Sequence, residues 1–198
     1  RLAGPSGSGK STLAAALQGS GAEVLHQDDF FTQPFLPYSE RQDDSYETAA
    51  HIDFAQLRRR GGEFLEANGG AVVVEGHMVA SDARLVDLCS LFVCLEASED
   101  VCRSRRLGRR PRSTEELRVL GDYFTSIAWP AYLRYGKPCI DAAAQTLASR
   151  GVPVLRCSVD QADSASEIAE AVRLHMASPV GGDQGNERSG EGASDGLP

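Results

Sequence analysis

Residues 4–12 read Gly-Pro-Ser-Gly-Ser-Gly-Lys-Ser-Thr. They fit G-x-x-x-x-G-K-[ST], with Gly4, Gly9, Lys10 and Ser11 at the fixed positions. This pattern constrains the fold before anything else does. Such a loop joins the end of a buried strand to the start of a helix, so the chain is expected to be an α/β protein built around that junction. The glycines, Gly4, Gly7 and Gly9, let the backbone turn tightly. The N–H groups of Ser6, Ser8 and their neighbours then point at one anion. Lys10 is placed to neutralise β- and γ-phosphates, and the Ser11 hydroxyl to ligate Mg²⁺, with Thr12 following in the first helical turn. The positive N-terminal end of that helix faces the same anion. Only Arg1, Leu2 and Ala3 precede the loop, so most of its strand is expected to be lost.

A chain of 198 residues with 41% hydrophobic content can bury one ordinary core. Its net charge of −8 argues against a nucleic-acid partner, which needs a basic face. No stretch approaches the roughly 18 apolar residues of a membrane helix, and no leader segment is visible. Five cysteines, Cys89, Cys94, Cys102, Cys139 and Cys157, lie in or beside apolar segments without metal-binding spacing. They read as reduced thiols of a cytoplasmic protein.

After the loop, the pattern predicts a helix over 10–18 and a strand over 23–26, then a polar, proline-containing loop over 30–45. A helix follows over 51–66, weakened by Gly61 and Gly62. The apolar runs at 71–74 and 91–95 have the continuous character of strands buried on both faces. Ser98 caps a helix reaching about Leu107, and Ser113 opens another reaching about Ser126. Trp129-Pro130 is expected to break it, with helix resuming over 131–149. A last strand over 152–155 and a closing helix over 162–176 complete an alternation that means a central parallel sheet of about five strands with helices on both faces. Residues 1–177 therefore read as one domain. Residues 178–198, rich in Gly, Ser, Asp and Glu, cannot offset their ordering entropy by burial and are expected to be a disordered tail.

Ligands of an open parallel sheet bind beyond the carboxyl ends of its strands. Asp28 and Asp29 follow the second strand and Glu75 the third, so all three are expected near Lys10 and Ser11. A carboxylate there can orient Mg²⁺ or take a proton from an attacking hydroxyl. The residue types alone do not choose between Asp28 and Asp29. The run from Arg103 to Arg112 straddles a helix end broken by Gly108 and Pro111. It suits either a lid that closes over transferring phosphate or a solvated basic face. Arg58, Arg59 and Arg60 read as surface.

These residues resemble the nucleoside kinases of the P-loop class, most closely the nicotinamide riboside kinases. The similarity is carried by residues 4–12, by Gln27-Asp28-Asp29-Phe30-Phe31, and by Tyr46-Glu47. It continues through Val74-Glu75-Gly76, through Arg105-Arg106 with Arg109, and through Asp122-Tyr123-Phe124 leading to Trp129-Pro130-Ala131-Tyr132-Leu133-Arg134-Tyr135. It runs from Arg1 to about Val172 and implies a P-loop kinase-type three-layer sandwich with an arginine-rich lid. It also implies phosphorylation of the 5′-hydroxyl of nicotinamide riboside by ATP with Mg²⁺, a step of NAD salvage.

Carried over by resemblance, Asp28 is the base, working with Lys10, and Ser11 and Asp28 hold Mg²⁺. Asp28 to Phe31, Tyr46, Glu47 and Arg106 line the acceptor site. Tyr46 stacks on the base, and Glu47 binds ribose hydroxyls where the family usually has Asp. Arg105, Arg109 and Arg110 reach the ATP phosphates, and residues 160–162, with Asp160 first, lie by the adenine. The family can place a second aromatic in the lid. Here that place falls near Arg110 and Pro111, so modest selectivity for a cationic base is expected. The alternatives are a kinase for uridine, cytidine or another small alcohol, and a nucleotide-binding regulator without catalysis. The chain has no Asn-Lys-x-Asp element of a GTPase switch, and it retains Lys10 and Asp28. The donor's base and the oligomeric state stay open.

Overall fold

The computed structural model describes residues 1–19, 21–160 and 165–177. Strands β1 (Leu2–Ala3), β2 (Glu23–His26), β3 (Val72–Gly76), β4 (Phe92–Glu96) and β5 (Val154–Ser158) form one sheet in the order β2-β3-β1-β4-β5. Every pairing is parallel. The alternation of side chains assigns the two faces. Leu2, Val73, Val93 and Leu95 point to one core, with Leu13, Ala14 and Leu17 of α1 (Lys10–Gln18) and with Ala169 and Val172 of α8 (Ala165–Ala177). Ala3, Val74, Phe92 and Cys94 point to the other, with Leu57 of α2 (Phe54–Asn68), Leu85 of α3 (Ala83–Asp87) and Leu147 of α7 (Lys137–Ser149). The molecule is therefore a three-layer α/β sandwich, and both sheet faces are covered as a parallel sheet requires. Among the described residues no helix is long and apolar enough to cross a membrane, and all five cysteines are free. Burial pushes the Cys94 thiol up to about 12 and the Cys102 thiol to about 11, so both stay protonated and inert.

Helix starts follow their caps. The Asp53 side chain accepts from Gln56 N at the start of α2, and Ser98 accepts from Val101 N at the start of α4 (Glu99–Gly108). Ser113 and Glu116 form a reciprocal capping box on α5 (Thr114–Tyr123).

Five sequence expectations shift, the first being that β3 runs on to Gly76, so that Glu75 lies within the strand and not after it. Helix α2 begins at Phe54 because Asp53 caps it and Ile52 pairs with Phe31 in an isolated antiparallel bridge. Strand β5 lies three residues further on at its C-terminal end, reaching Ser158. The short helix α3, capped by Asp82, is additional. The expected break at Trp129-Pro130 is no break. The chain stays helical from α5 through α6 (Trp129–Ala131) into α7, with wide π turns at Phe124–Ala128 and Tyr132–Gly136. Each wide turn directly precedes the turn that holds Pro130 or Pro138. There the ladder absorbs a ring and a missing N–H without ending the helix. The expected tail, residues 178–198, and the expected start of the last helix lie outside the described residues.

Candidate active site

The sheet places the loop. Strand β1 runs between β3 and β4, with Ala3 opposite Gly76 and Cys94. The next residues leave the sheet edge as the turn that becomes α1. Gly7 adopts φ +91°, and a Cβ there would strike the Cys102 carbonyl oxygen at 2.3 Å. Gly9, at φ +95°, is the residue from which α1 starts. Only glycine takes both conformations without strain.

Lys10 is 7% exposed, and its Nζ donates to Pro5 O at 2.8 Å. Burial lowers its pKa, against the pull of the Glu75 and Asp28 charges. A bound polyphosphate would bring an anion into contact with this buried ammonium, which forms no ion pair among the described residues. Ser11 Oγ donates to Glu75 Oε1 at 2.9 Å, and His26 Nδ1 donates to the same oxygen at 2.7 Å. His26 and Glu75 are opposite partners on β2 and β3, so strand register itself assembles this pair.

A cleft of about 260 Å³ is lined by Gly7, Gly9, Lys10, Ser11 and Thr12 of the loop, by Asp28, Glu75 and His77, and by Arg105, Arg106 and Arg109. A larger cavity of about 710 Å³ adjoins it, lined by Phe31, Tyr38, Arg41, Tyr46, Glu47, Arg110 and Arg112 among others. Ser6, Asp28, His77, Arg106 and Arg109 line both. Among the described residues Asp28 is the one carboxylate the two cavities share. Asp29 is exposed and lines neither, and Phe30 is buried in the core.

The arginines divide by their anchors. Arg106 bridges the cavities, donating to Ser6 Oγ through Nη1 and to Tyr38 Oη at 2.9 Å through Nη2. Arg105 Nη2 donates to Val159 O at 2.7 Å. Arg112 Nη1 donates to the carbonyl oxygens of Arg106 and Leu107, which ties the segment beyond α4 to that helix. Asp160 Oδ1 accepts from Ser98 N at 2.7 Å and from Ser98 Oγ at 3.2 Å, at the start of α4.

In the larger cavity Glu47 is 7% exposed, and its Oε1 accepts from Tyr123 Oη at 2.8 Å. His77 Nε2 lies 3.6 Å from Glu47 Oε2. Buried Gln27 fixes the imidazole. Its Oε1 accepts from Met78 N at 2.7 Å, so its Nε2 donates to His77 Nδ1 at 3.2 Å. Neutral His77 therefore carries its proton on Nε2, toward Glu47. Burial lowers the His77 pKa despite Glu47 and Asp28. Gly76 is required here, because a Cβ would meet Gln27 at 2.4 Å.

Tyr46 stands where an open stacking face is expected, but its ring carries a guanidinium. Arg41 Cζ lies 4.3 Å from the Tyr46 centroid and 4.4 Å from that of Tyr38. The residues that sequence reasoning left out of the site are thus Gln27, Tyr38, Arg41, His77 and Tyr123. Two of them, Gln27 and His77, directly follow strand ends and were findable by position.

Serine hydroxyl and carboxylate oxygens are hard donors that suit Mg²⁺, and Ser11, Asp28 and Glu75 line one cleft. Among the described residues no group of three or more His, Cys, Asp or Glu forms a metal cage. The fit is to a cation that arrives with phosphate oxygens and keeps several waters.

The family model of the AAA domain matches residues 1–121, which takes in the loop, Asp28, Tyr46, Glu75 and the arginine segment. A uridine kinase of Deinococcus deserti is 27% identical over 172 residues, covering 69% of this chain and 80% of that protein. Among solved structures, a gluconokinase from Sinorhizobium meliloti 1021 aligns with a TM-score of 0.48 and 21% identity over 89% of each chain. An uncharacterized protein from Eubacterium ventriosum aligns with a TM-score of 0.41 and 12% identity, over 88% of this chain and 95% of that one.

Proposed function

We propose, for a chain that belongs to the AAA domain family, that it is a P-loop kinase transferring the γ-phosphoryl group of ATP to the 5′-hydroxyl of a ribonucleoside. The observation that carries the reading is the position of Asp28. It is the carboxylate common to the phosphate cleft and the adjoining cavity, so a hydroxyl seated in the cavity and a phosphate seated in the cleft both meet it.

The chemistry then divides among the chain's own residues. The acceptor oxygen forms a bond to the γ-phosphorus, the bond from that phosphorus to the β–γ bridging oxygen breaks, and the acceptor proton passes to Asp28. Lys10 and the loop N–H groups hold the phosphates. Arg106 and Arg109, on both cavities, neutralise charge on the transferring group. Ser11, with Asp28 and Glu75 nearby, would hold Mg²⁺, which when bound would supply charge neutralisation on the phosphate oxygens. Glu47, held by Tyr123 and facing His77, accepts from ribose hydroxyls.

Nicotinamide riboside is the acceptor that the blocks around Asp28, Tyr46 and Trp129 favour. A second reading, a neutral nucleoside such as uridine or cytidine, is favoured by Arg41, whose charge already lies on the Tyr46 face. Incubation with a panel of ribonucleosides and either ATP or GTP, read by phosphorus NMR, tests the proposal. A nucleoside 5′-monophosphate is the expected product. Phosphorylation of non-nucleoside alcohols alone, or no product from any acceptor, would overturn it.

A further inference from the structure

Four aromatic rings, three of them lining the larger cavity and Tyr123 buried behind it, converge on one cation of the chain's own. Arg41 Cζ lies 4.3 Å from the centroid of Tyr46, 4.4 Å from Tyr38, and 5.5 Å from both Phe35 and Tyr123. Each of the four rings also has a contact that does not involve Arg41. Tyr46 Oη donates to Pro34 O at 2.7 Å and accepts from Leu36 N at 3.2 Å. Tyr123 Oη is bonded to Glu47, and Tyr38 Oη to Arg106. Phe35 stacks on Tyr46 with centroids 5.8 Å apart. The box is thus built by its own scaffold. Its occupant is held by Nε donating to Leu36 O at 2.9 Å and by polar contact with the Tyr123 hydroxyl, and it forms no ion pair with a carboxylate among the described residues. Arginines elsewhere, such as Arg118, Arg150 and Arg156, do pair with acids.

We infer that Arg41 is a built-in cation that occupies the base-binding box and sets its specificity, disfavouring positively charged rings and favouring neutral bases that present carbonyl oxygens. Aromatic faces attract a cation, and here that attraction is already satisfied. An incoming pyridinium must displace the guanidinium or lie against it at the cost of like-charge repulsion. A neutral base stacks in the same place and accepts from the guanidinium N–H groups, which have a planar array of five donors. This inference rests on the acceptor-site reading above but is tested without turnover.

The test is binding of two probes of the same shape, the N-methylnicotinamide cation and neutral nicotinamide, by calorimetry to the wild-type chain, R41A and R41M. R41M keeps the length of the side chain and guards against collapse of the loop. In the wild type the cation is expected to bind no more tightly than the neutral probe. In the variants its affinity is expected to rise by about tenfold, with the neutral probe changing by less than about threefold. The ratio of kcat/KM for nicotinamide riboside over uridine should rise by a similar factor. Tighter binding of the cation than of nicotinamide to the wild type would overturn the inference. So would equal gains for both probes, which would make Arg41 a steric plug, or no gain for either. Failure of every nucleoside as an acceptor, with the binding difference intact, would sink the proposed reaction and leave the role of Arg41 standing.

Discussion

Ser11 Oγ donates its proton to Glu75 Oε1 across 2.9 Å, although the two residues are 64 positions apart in the chain. The bond fixes the hydroxyl proton on Glu75 and so leaves the oxygen lone pairs of Ser11 available to a ligand. Glu75 is in turn held by His26. A carboxylate that orients a metal-binding hydroxyl tunes the metal without touching it.

Glu75→Gln should therefore raise the Mg²⁺ concentration for half-maximal rate by about tenfold, with a smaller effect on kcat at saturating metal. Titration of activity with MgCl₂ at fixed ATP reads this directly. An unchanged Mg²⁺ requirement would show that the Ser11–Glu75 bond has no part in metal placement.

Lys10→Ala should weaken ATP binding and turnover together, because the ammonium meets phosphate in ground and transition states alike. The variant should also be no less stable than the parent, since a buried cation that forms no ion pair among the described residues costs folding energy in the free protein. Calorimetry with ATP and a thermal melt check the two halves separately.

Tyr123→Phe removes the donor to buried Glu47 Oε1. A carboxylate left short of a hydrogen bond costs about 1–3 kcal/mol, or roughly 2–10 °C in Tm for a chain of this size. A melt followed by circular dichroism should show that loss, with KM for the acceptor raised through misplaced Glu47. A shift within the error of the melt would mean that Glu47 finds water instead.

His77 gives a pH dependence of known sign. Burial lowers its folded pKa below the ordinary histidine value, so between the two values the unfolded chain binds the proton and the folded chain does not. The neutral ring therefore contributes stability that is complete above about pH 6.5 and is lost as the pH falls toward the depressed folded value. The slope attributable to this residue is at most about 1.4 kcal/mol per pH unit. His77→Gln should flatten the decline of Tm between pH 7 and 5. An equally steep decline in the variant would assign the acid sensitivity to other groups.

The parts of this site that were legible in the sequence are contiguous or tied to strand ends. The loop is legible because its geometry needs fixed residues at fixed spacing, and Asp28 because a carboxylate two residues past β2 leaves the same sheet edge as the loop in a parallel sheet. The aromatic box was not legible. Phe35 lies in irregular backbone, Tyr38 and Tyr46 lie in isolated single 3₁₀ turns, and Tyr123 joins them only through tertiary packing. The proton position on His77 likewise depends on a glutamine whose carbonyl is claimed by Met78 N. Pro130 misled because a proline ends a regular α-helix, whereas wide π turns let this one continue.

The central claim is that Asp28, and not Asp29, takes the acceptor's proton. Asp28→Asn keeps the shape of the side chain and removes its basicity. Steady-state turnover with saturating ATP, Mg²⁺ and the best ribonucleoside should fall by roughly 10²–10⁴-fold, while ATP affinity changes by less than about threefold. Asp29→Asn, on an exposed residue that lines neither cavity, should stay within about threefold of the parent. Near-normal turnover in Asp28→Asn, or a large loss in Asp29→Asn alone, would contradict the account.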